Sequence, residues 1–129
     1  MENCLFCKIA RGEIPSTNVF ENEHIVAFKD LHPLAPVHLL LVTKMHSTNI
    51  NEMVSFDPTL VSHVFKGISD YTKESGLDKK GFRIVTNTGS DSGQSIFHTH
   101  FHLLAGADLR GFGAYGFAIF LINVDIRVC

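Results

Sequence analysis

Three histidines at alternate positions, His98, His100 and His102, lie in the run Gln94-Ser95-Ile96-Phe97-His98-Thr99-His100-Phe101-His102-Leu103-Leu104. Imidazole is the side chain that changes protonation near neutral pH, binds metals and attacks electrophiles. The chain has eight histidines in 129 residues, so some clustering is expected. Packing does not select this pattern, because a core position favours Val, Ile or Leu and a buried imidazole must find hydrogen-bond partners. The row therefore points to catalysis or to a metal site. Strict alternation implies a strand, in which residues i, i+2 and i+4 share a face. Three imidazoles should then line one side of a sheet, with Phe97, Thr99, Phe101 and Leu103 on the other.

Just upstream runs Asn87-Thr88-Gly89-Ser90-Asp91-Ser92-Gly93-Gln94-Ser95. Such a loop is either a tight turn or a nest of backbone N–H groups that holds an anion. It lacks the lysine of a Walker loop and is not a dinucleotide fingerprint. A histidine row beside an anion cradle suits phosphoryl or nucleotidyl transfer. The middle residue, His100, is the natural nucleophile, giving a phosphohistidine-type intermediate that water cleaves. His98 and His102 would fix its tautomer and stabilise charge on phosphoryl oxygens, and Ser95 would donate to the leaving group. No nucleophile-elbow motif or carboxylate pair offers a competing hydrolytic centre.

Cys4-x-x-Cys7 has three readings: a redox pair, incidental core, or half of a tetrahedral zinc site completed by two histidines. It lacks the strand-to-helix context of a thioredoxin-type motif. His24, His32 and His63 read as surface residues, and His38 as a structural hydrogen-bonder within a strand.

The elements that must position these groups are legible from periodicity. Leu5, Phe6 and Ile9 suggest a short N-terminal helix, closed by Gly12 and Pro15. Val19-Phe20 and Ile25 to Phe28 read as two strands around a polar turn. The near-continuous apolar run Val37 to Val42 reads as a strand covered on both faces. The polar stretch Met45 to Glu52 is expected to hold a short helix. Asp57-Pro58 opens one long helix, whose apolar positions Leu60, Val61, Val64, Phe65, Ile68 and Tyr71 recur at three and four. Gly76 stops it. Phe82 to Thr86 is a further strand and the histidine run the last. The expectation is one α+β domain with about five mostly antiparallel strands.

A net charge of −2 excludes an electrostatic nucleic-acid binder, and Lys79-Lys80 is the one adjacent basic pair. Met1 leads into Glu2-Asn3-Cys4 without a basic and apolar leader, and three cysteines suit a reducing compartment. The expected location is the cytoplasm, with the nucleus second, and no membrane partner.

His98-Thr99-His100-Phe101-His102-Leu103-Leu104 resembles the histidine triad (HIT) motif, alternating histidines followed by apolar residues. The resemblance extends to Cys4-Leu5-Phe6-Cys7-Lys8-Ile9, Glu13-Ile14-Pro15, Ala27-Phe28-Lys29-Asp30, Ala35-Pro36-Val37-His38 and Asn87 through Ser95, covering residues 1–106. With Gly93-Gln94-Ser95 before the triad, the chain is most similar to the histidine triad nucleotide-binding (Hint) branch. That resemblance implies a HIT-like fold and a homodimeric purine nucleoside phosphoramidase that hydrolyses the P–N bond of AMP-type phosphoramidates. It implies His100 as nucleophile and His102 as phosphate ligand, with Asn87, Gly93, Gln94 and Ser95 around the α-phosphate or leaving group. Asp30 would bind the ribose hydroxyls. Leu5, Phe6, Ile9, Phe28 and Leu31 would line the purine slot, with Lys29 at its rim. Zinc-binding members imply a structural metal site at Cys4, Cys7, His46 and His98, with no cofactor needed for catalysis.

Two other functions stay open: a dinucleoside polyphosphate hydrolase, and a nucleotide- or zinc-binding interaction module with vestigial activity. Thr99 stands where the motif prefers an aliphatic residue, and Thr43 replaces a proline usual before Lys-x-His. Residues 107–129 depart most, lacking the tryptophan expected there. Their apolar run Ala114 to Ile122 is too short to span a bilayer, which takes about 20 residues. An added strand, a dimer-burying segment and an error in the gene model are the alternatives for it.

Overall fold

The computed structural model describes residues 3–110. The expectations for the run Ala114 to Ile122 lie outside the described residues.

Five strands form one sheet in the order β1-β2-β3-β5-β4, with every neighbouring pair antiparallel. They are β1 (Asn18–Glu21), β2 (Ile25–Lys29), β3 (Val37–Thr43), β4 (Phe82–Val85) and β5 (His100–Ala105). The apolar run of β3 is explained by its place at the centre, where Leu39 to Thr43 are buried on both faces. This is the expected α+β architecture.

One face of the sheet carries Ile25, Ala27, Leu39, Leu41, Phe101 and Leu103. Against it lies the long helix α3 (Thr59–Ser75), which presents Leu60, Val64 and Ile68. Burying three such side chains contributes on the order of 5 kcal/mol. Gly67 lets the helix approach closely, since a Cβ there would stand 2.6 Å from Ile25 Cδ1. Asp57 caps the helix by accepting the Thr59 N–H at 3.0 Å, and Gly76 ends it at φ 80°.

The opposite face carries Val26, Phe28, Leu40 and Val42, covered by Phe6 and Ile9 of the N-terminal helix α1 (Leu5–Ala10). Cys4 caps α1 through sulfur, which accepts the Cys7 N–H at 3.3 Å.

Three details differ from expectation. The short helix α2 spans Ile50–Phe56 rather than Met45 to Glu52, because the Asn49 side chain caps it by accepting the Glu52 N–H. A one-turn helix α4 (Leu77–Lys80) follows α3. The last strand begins at His100, so His98 precedes it and Phe97 is exposed rather than packed on the opposite face. No helix among the described residues is long and apolar enough to cross a membrane.

Candidate active site and metal centre

Two histidines of the row share one face of β5. The register pairs Val42 with His100 and Leu40 with His102, so both rings project toward the α1 side of the sheet. Their centroids are 5.3 Å apart, and the Phe6 ring meets His100 edge-on at 5.0 Å.

The hydrogen-bond network assigns the tautomers. Leu34 N–H donates to His38 Nδ1 at 3.1 Å, so the proton of neutral His38 sits on Nε2. That Nε2–H faces His102 Nδ1 at 2.9 Å, with Asp30 Oδ2 at 3.3 Å. His102 Nδ1 is then an acceptor, and Nε2 of His102 carries a proton. His100 works the other way round. Its Nδ1–H donates to the His98 carbonyl at 2.7 Å, leaving the lone pair on Nε2. One ring thus presents a nucleophile and its neighbour presents a donor.

Burial keeps these rings neutral. Burial, then His100 and His38, hold the His102 pKa down to about 3. Burial lowers His100 against the opposing pull of its hydrogen bond to His98 and of Asp30. His38 is also lowered by burial, with Asp30 opposing.

Asn87 follows β4, whose Val85 is in register with His102 and whose neighbour Thr86 donates its hydroxyl to the His100 carbonyl at 2.8 Å. Among the described residues, the buried side-chain polar atoms without a partner are Asn87 Nδ2, His100 Nε2 and His102 Nε2. Leaving such an atom unsatisfied costs about 1–3 kcal/mol. All three belong to residues that the family resemblance implies contact phosphate.

The glycine-rich loop is held by Gln94. Its amide donates to the Thr48 and Ile96 carbonyls at 2.7 and 3.2 Å and accepts the Gly89 N–H at 2.9 Å. Gln94 therefore shapes the loop through bonds that occupy its side chain. Gly93 closes a short 3₁₀ turn at φ 88°, a left-handed position that favours glycine. Ser95 is exposed beyond it.

A cleft of about 170 Å³ is lined by Leu5, Phe6, Ile9, Phe28, Lys29, Asp30 and Leu31 among others. His100 and His102 do not line it themselves; they adjoin it through Phe6, whose ring meets His100, and Leu40, which pairs with His102. All five residues assigned to a purine slot line it, as do Lys29 and Asp30. Asp30 Oδ1 also accepts the His32 N–H at 2.8 Å, which fixes the carboxylate at the cleft.

His98 turns away from the other two histidines of the row. Its Nδ1 lies 3.3 Å from Cys4 Sγ, 3.4 Å from Cys7 Sγ and 3.2 Å from His46 Nδ1, and Cys7 Sγ is 3.3 Å from His46 Nδ1. All four donor atoms lie within 4.8 Å of one another. Tetrahedral zinc with sulfur and nitrogen ligands separates neighbouring donors by about 3.3–3.8 Å, so the set fits that ion. The tautomer fits as well: His98 Nε2–H donates to the Thr43 carbonyl at 2.7 Å, which frees Nδ1 as a lone-pair donor. Burial holds His98 down to about 4, so its ring is neutral. Burial, then the Cys4 hydrogen bond and charge, push the Cys7 thiol up to about 11.

The structure thus separates the histidine row. His100 and His102 face the cleft side, whereas His98 faces Cys4, Cys7 and His46, because the chain enters β5 only after residue 99. His38, expected to be a structural hydrogen-bonder within its strand, makes that bond to His102, a partner that no local pattern specifies. The available signal was a lone imidazole in a strand expected to be covered on both faces, where it had to find a buried partner. Thr99 is likewise accounted for: its hydroxyl meets Ser47 Oγ at 2.6 Å.

A family model described as the HIT domain matches residues 11–109. The chain belongs to the histidine triad family. It is 40% identical to protein HitA of Neisseria gonorrhoeae over 104 residues, 81% of this chain and 96% of that protein. Among solved structures it resembles a histidine triad protein from Clostridium difficile at 46% identity and TM-score 0.81, covering 84% of this chain and 95% of that one. A HIT family hydrolase from Clostridium thermocellum matches at 40% identity and TM-score 0.80, with the same coverage.

Proposed function

We propose that this chain is a nucleotide hydrolase of the Hint type, a purine nucleoside phosphoramidase that cleaves the P–N bond of AMP-type phosphoramidates. The observation that carries this reading is the trio of unpartnered buried atoms, His100 Nε2, His102 Nε2 and Asn87 Nδ2, together with an apolar cleft whose Phe6 meets the His100 ring. The likeness to a protein described as a HIT family hydrolase supports the reaction class.

In this reading the purine enters the cleft between Leu5, Phe6, Ile9, Phe28 and Leu31, and Asp30 takes the ribose hydroxyls. The His100 Nε2 lone pair attacks phosphorus and the P–N bond breaks. The amine leaves with the Ser95 hydroxyl proton, which the water that attacks in the next step restores. His102 Nε2–H and the Asn87 amide hold the phosphoryl oxygens. Water then attacks the nucleotidyl-His100, the P–Nε2 bond breaks, and AMP departs with His100 restored. Rapid quenching followed by mass spectrometry should find the nucleotidyl group on His100. AMP binding by calorimetry with no turnover would instead select a binding module. Faster cleavage of a diadenosine polyphosphate would select the dinucleotide reading.

Two further assignments accompany the reaction. Zinc is held by Cys4, Cys7, His46 and His98, where it would cross-link α1 to the chain entering β5. A homodimer forms over the edge of β4 that no described strand pairs, where Phe82 is exposed. Light scattering reads the oligomeric state. A reducing compartment such as the cytoplasm keeps the two thiols available as ligands.

A further inference from the structure

We propose that the Cys4, Cys7, His46 and His98 cage orients the nucleophile, with His98 and Phe6 acting as positioning residues for His100. The turnover arm of this inference rests on the nucleotidyl-transfer reading above; its structural arm does not.

His98 belongs to both centres. Its ring is held at each nitrogen, by the Thr43 carbonyl at Nε2 and by the three cage donors around Nδ1. With the ring fixed at both ends, the His98 main chain has little freedom. The His98 carbonyl is the group that accepts the His100 Nδ1–H at 2.7 Å. That one bond decides which nitrogen of His100 carries the lone pair. A shift of this carbonyl would release the Nδ1–H and let the proton move to Nε2, the atom that must attack.

The second support begins at the other half of the cage. Phe6 lies between Cys4 and Cys7 on α1, is 2% exposed, and meets the His100 ring edge-on at 5.0 Å with an interplanar angle of 80°. It also meets the His98 ring at 6.1 Å and Phe28 at 5.7 Å. The His100 ring is therefore braced by a carbonyl and an aromatic edge, and both belong to or lie between cage residues. A metal in the cage ties these supports together. Its loss loosens both, so the activity of the site follows metal supply without the metal touching substrate.

The test uses the full chain in three forms: zinc-loaded, stripped by a chelator, and His46→Ala. His46 is the cage residue whose hydrogen bonds run to Cys7 and His98, so this variant removes one cage donor and leaves the Phe6 and His98 carbonyl supports of His100 in the sequence. Imidazole nitrogen chemical shifts report the His100 tautomer directly. The expected result is a single Nδ1–H form in the zinc-loaded protein and a mixture in the other two, with far-UV helicity retained. Turnover should fall about ten- to a hundredfold with KM little changed, and zinc should restore the stripped protein. Phe6→Leu should lower turnover while zinc stoichiometry holds. An unchanged His100 signature on stripping overturns the proposal, as does failure of the wild-type protein to take up zinc. Global unfolding on stripping also overturns it, by making the cage a staple of the whole fold. A tautomer change with no phosphoramidate turnover leaves the positioning role standing and removes only the proposed reaction.

Discussion

His38 Nε2 stands 2.9 Å from His102 Nδ1, and the bond can run in only one direction. Leu34 N–H occupies His38 Nδ1, so His38 must donate from Nε2 and His102 must accept at Nδ1. A residue from β3, far from the histidine motif in sequence, thereby decides that His102 carries its proton on Nε2.

Removing His38 should therefore damage catalysis more than binding. His38→Ala frees His102 to adopt the other tautomer and lose the donor aimed at phosphoryl oxygen. Loss of one such donor costs about a hundred- to a thousandfold in kcat, and indirect loss through His38 should fall at or below the lower end. Steady-state kinetics check it: kcat should drop with KM little changed. His38→Gln, which keeps a donor, should recover part of the loss.

Acid should destabilise the protein through the buried rings. The folded pKa of His102 is depressed from 6.5 to about 3. Below 6.5 the unfolded chain binds a proton that the folded chain refuses, so stability is fully present above 6.5 and is lost as pH falls toward the folded value. Between pH 6.5 and about 5 this ring alone removes on the order of 2 kcal/mol. Thermal melts across that range should show Tm falling with pH, and His102→Gln should flatten the slope.

Metal uptake should release protons. His98 is already neutral at pH 7, because burial holds it to about 4, whereas the Cys7 thiol is pushed up to about 11 and must deprotonate to bind zinc. Calorimetric titration of zinc in buffers of different ionisation enthalpy should report proton release, and apparent affinity should weaken as pH is lowered. Cys7→Ala should abolish tight binding.

The legible part of this molecule was what local periodicity encodes. The stripe Leu60, Val64, Ile68 marked α3 because a helix must bury one face, and Val37 to Val42 marked a central strand because both faces are covered. His100 and His102 share a face as alternation requires. The fate of His98 was not legible from alternation, since β5 starts two residues later and the ring is drawn to partners 94 and 91 residues away at Cys4 and Cys7. The same holds for His38, whose role depends on pairing β3 with β5. Position along a strand can be read from neighbours in sequence, but contacts between distant segments follow only from the sheet order.

The most direct measurement is AMP release from an AMP–amine substrate, assayed beside a diadenosine polyphosphate, for the wild type and His100→Ala. The expected result is faster turnover of the phosphoramidate by the wild type, and a loss of about three orders of magnitude or more in the variant. Full turnover by His100→Ala would contradict the assignment of His100 Nε2 as the attacking atom.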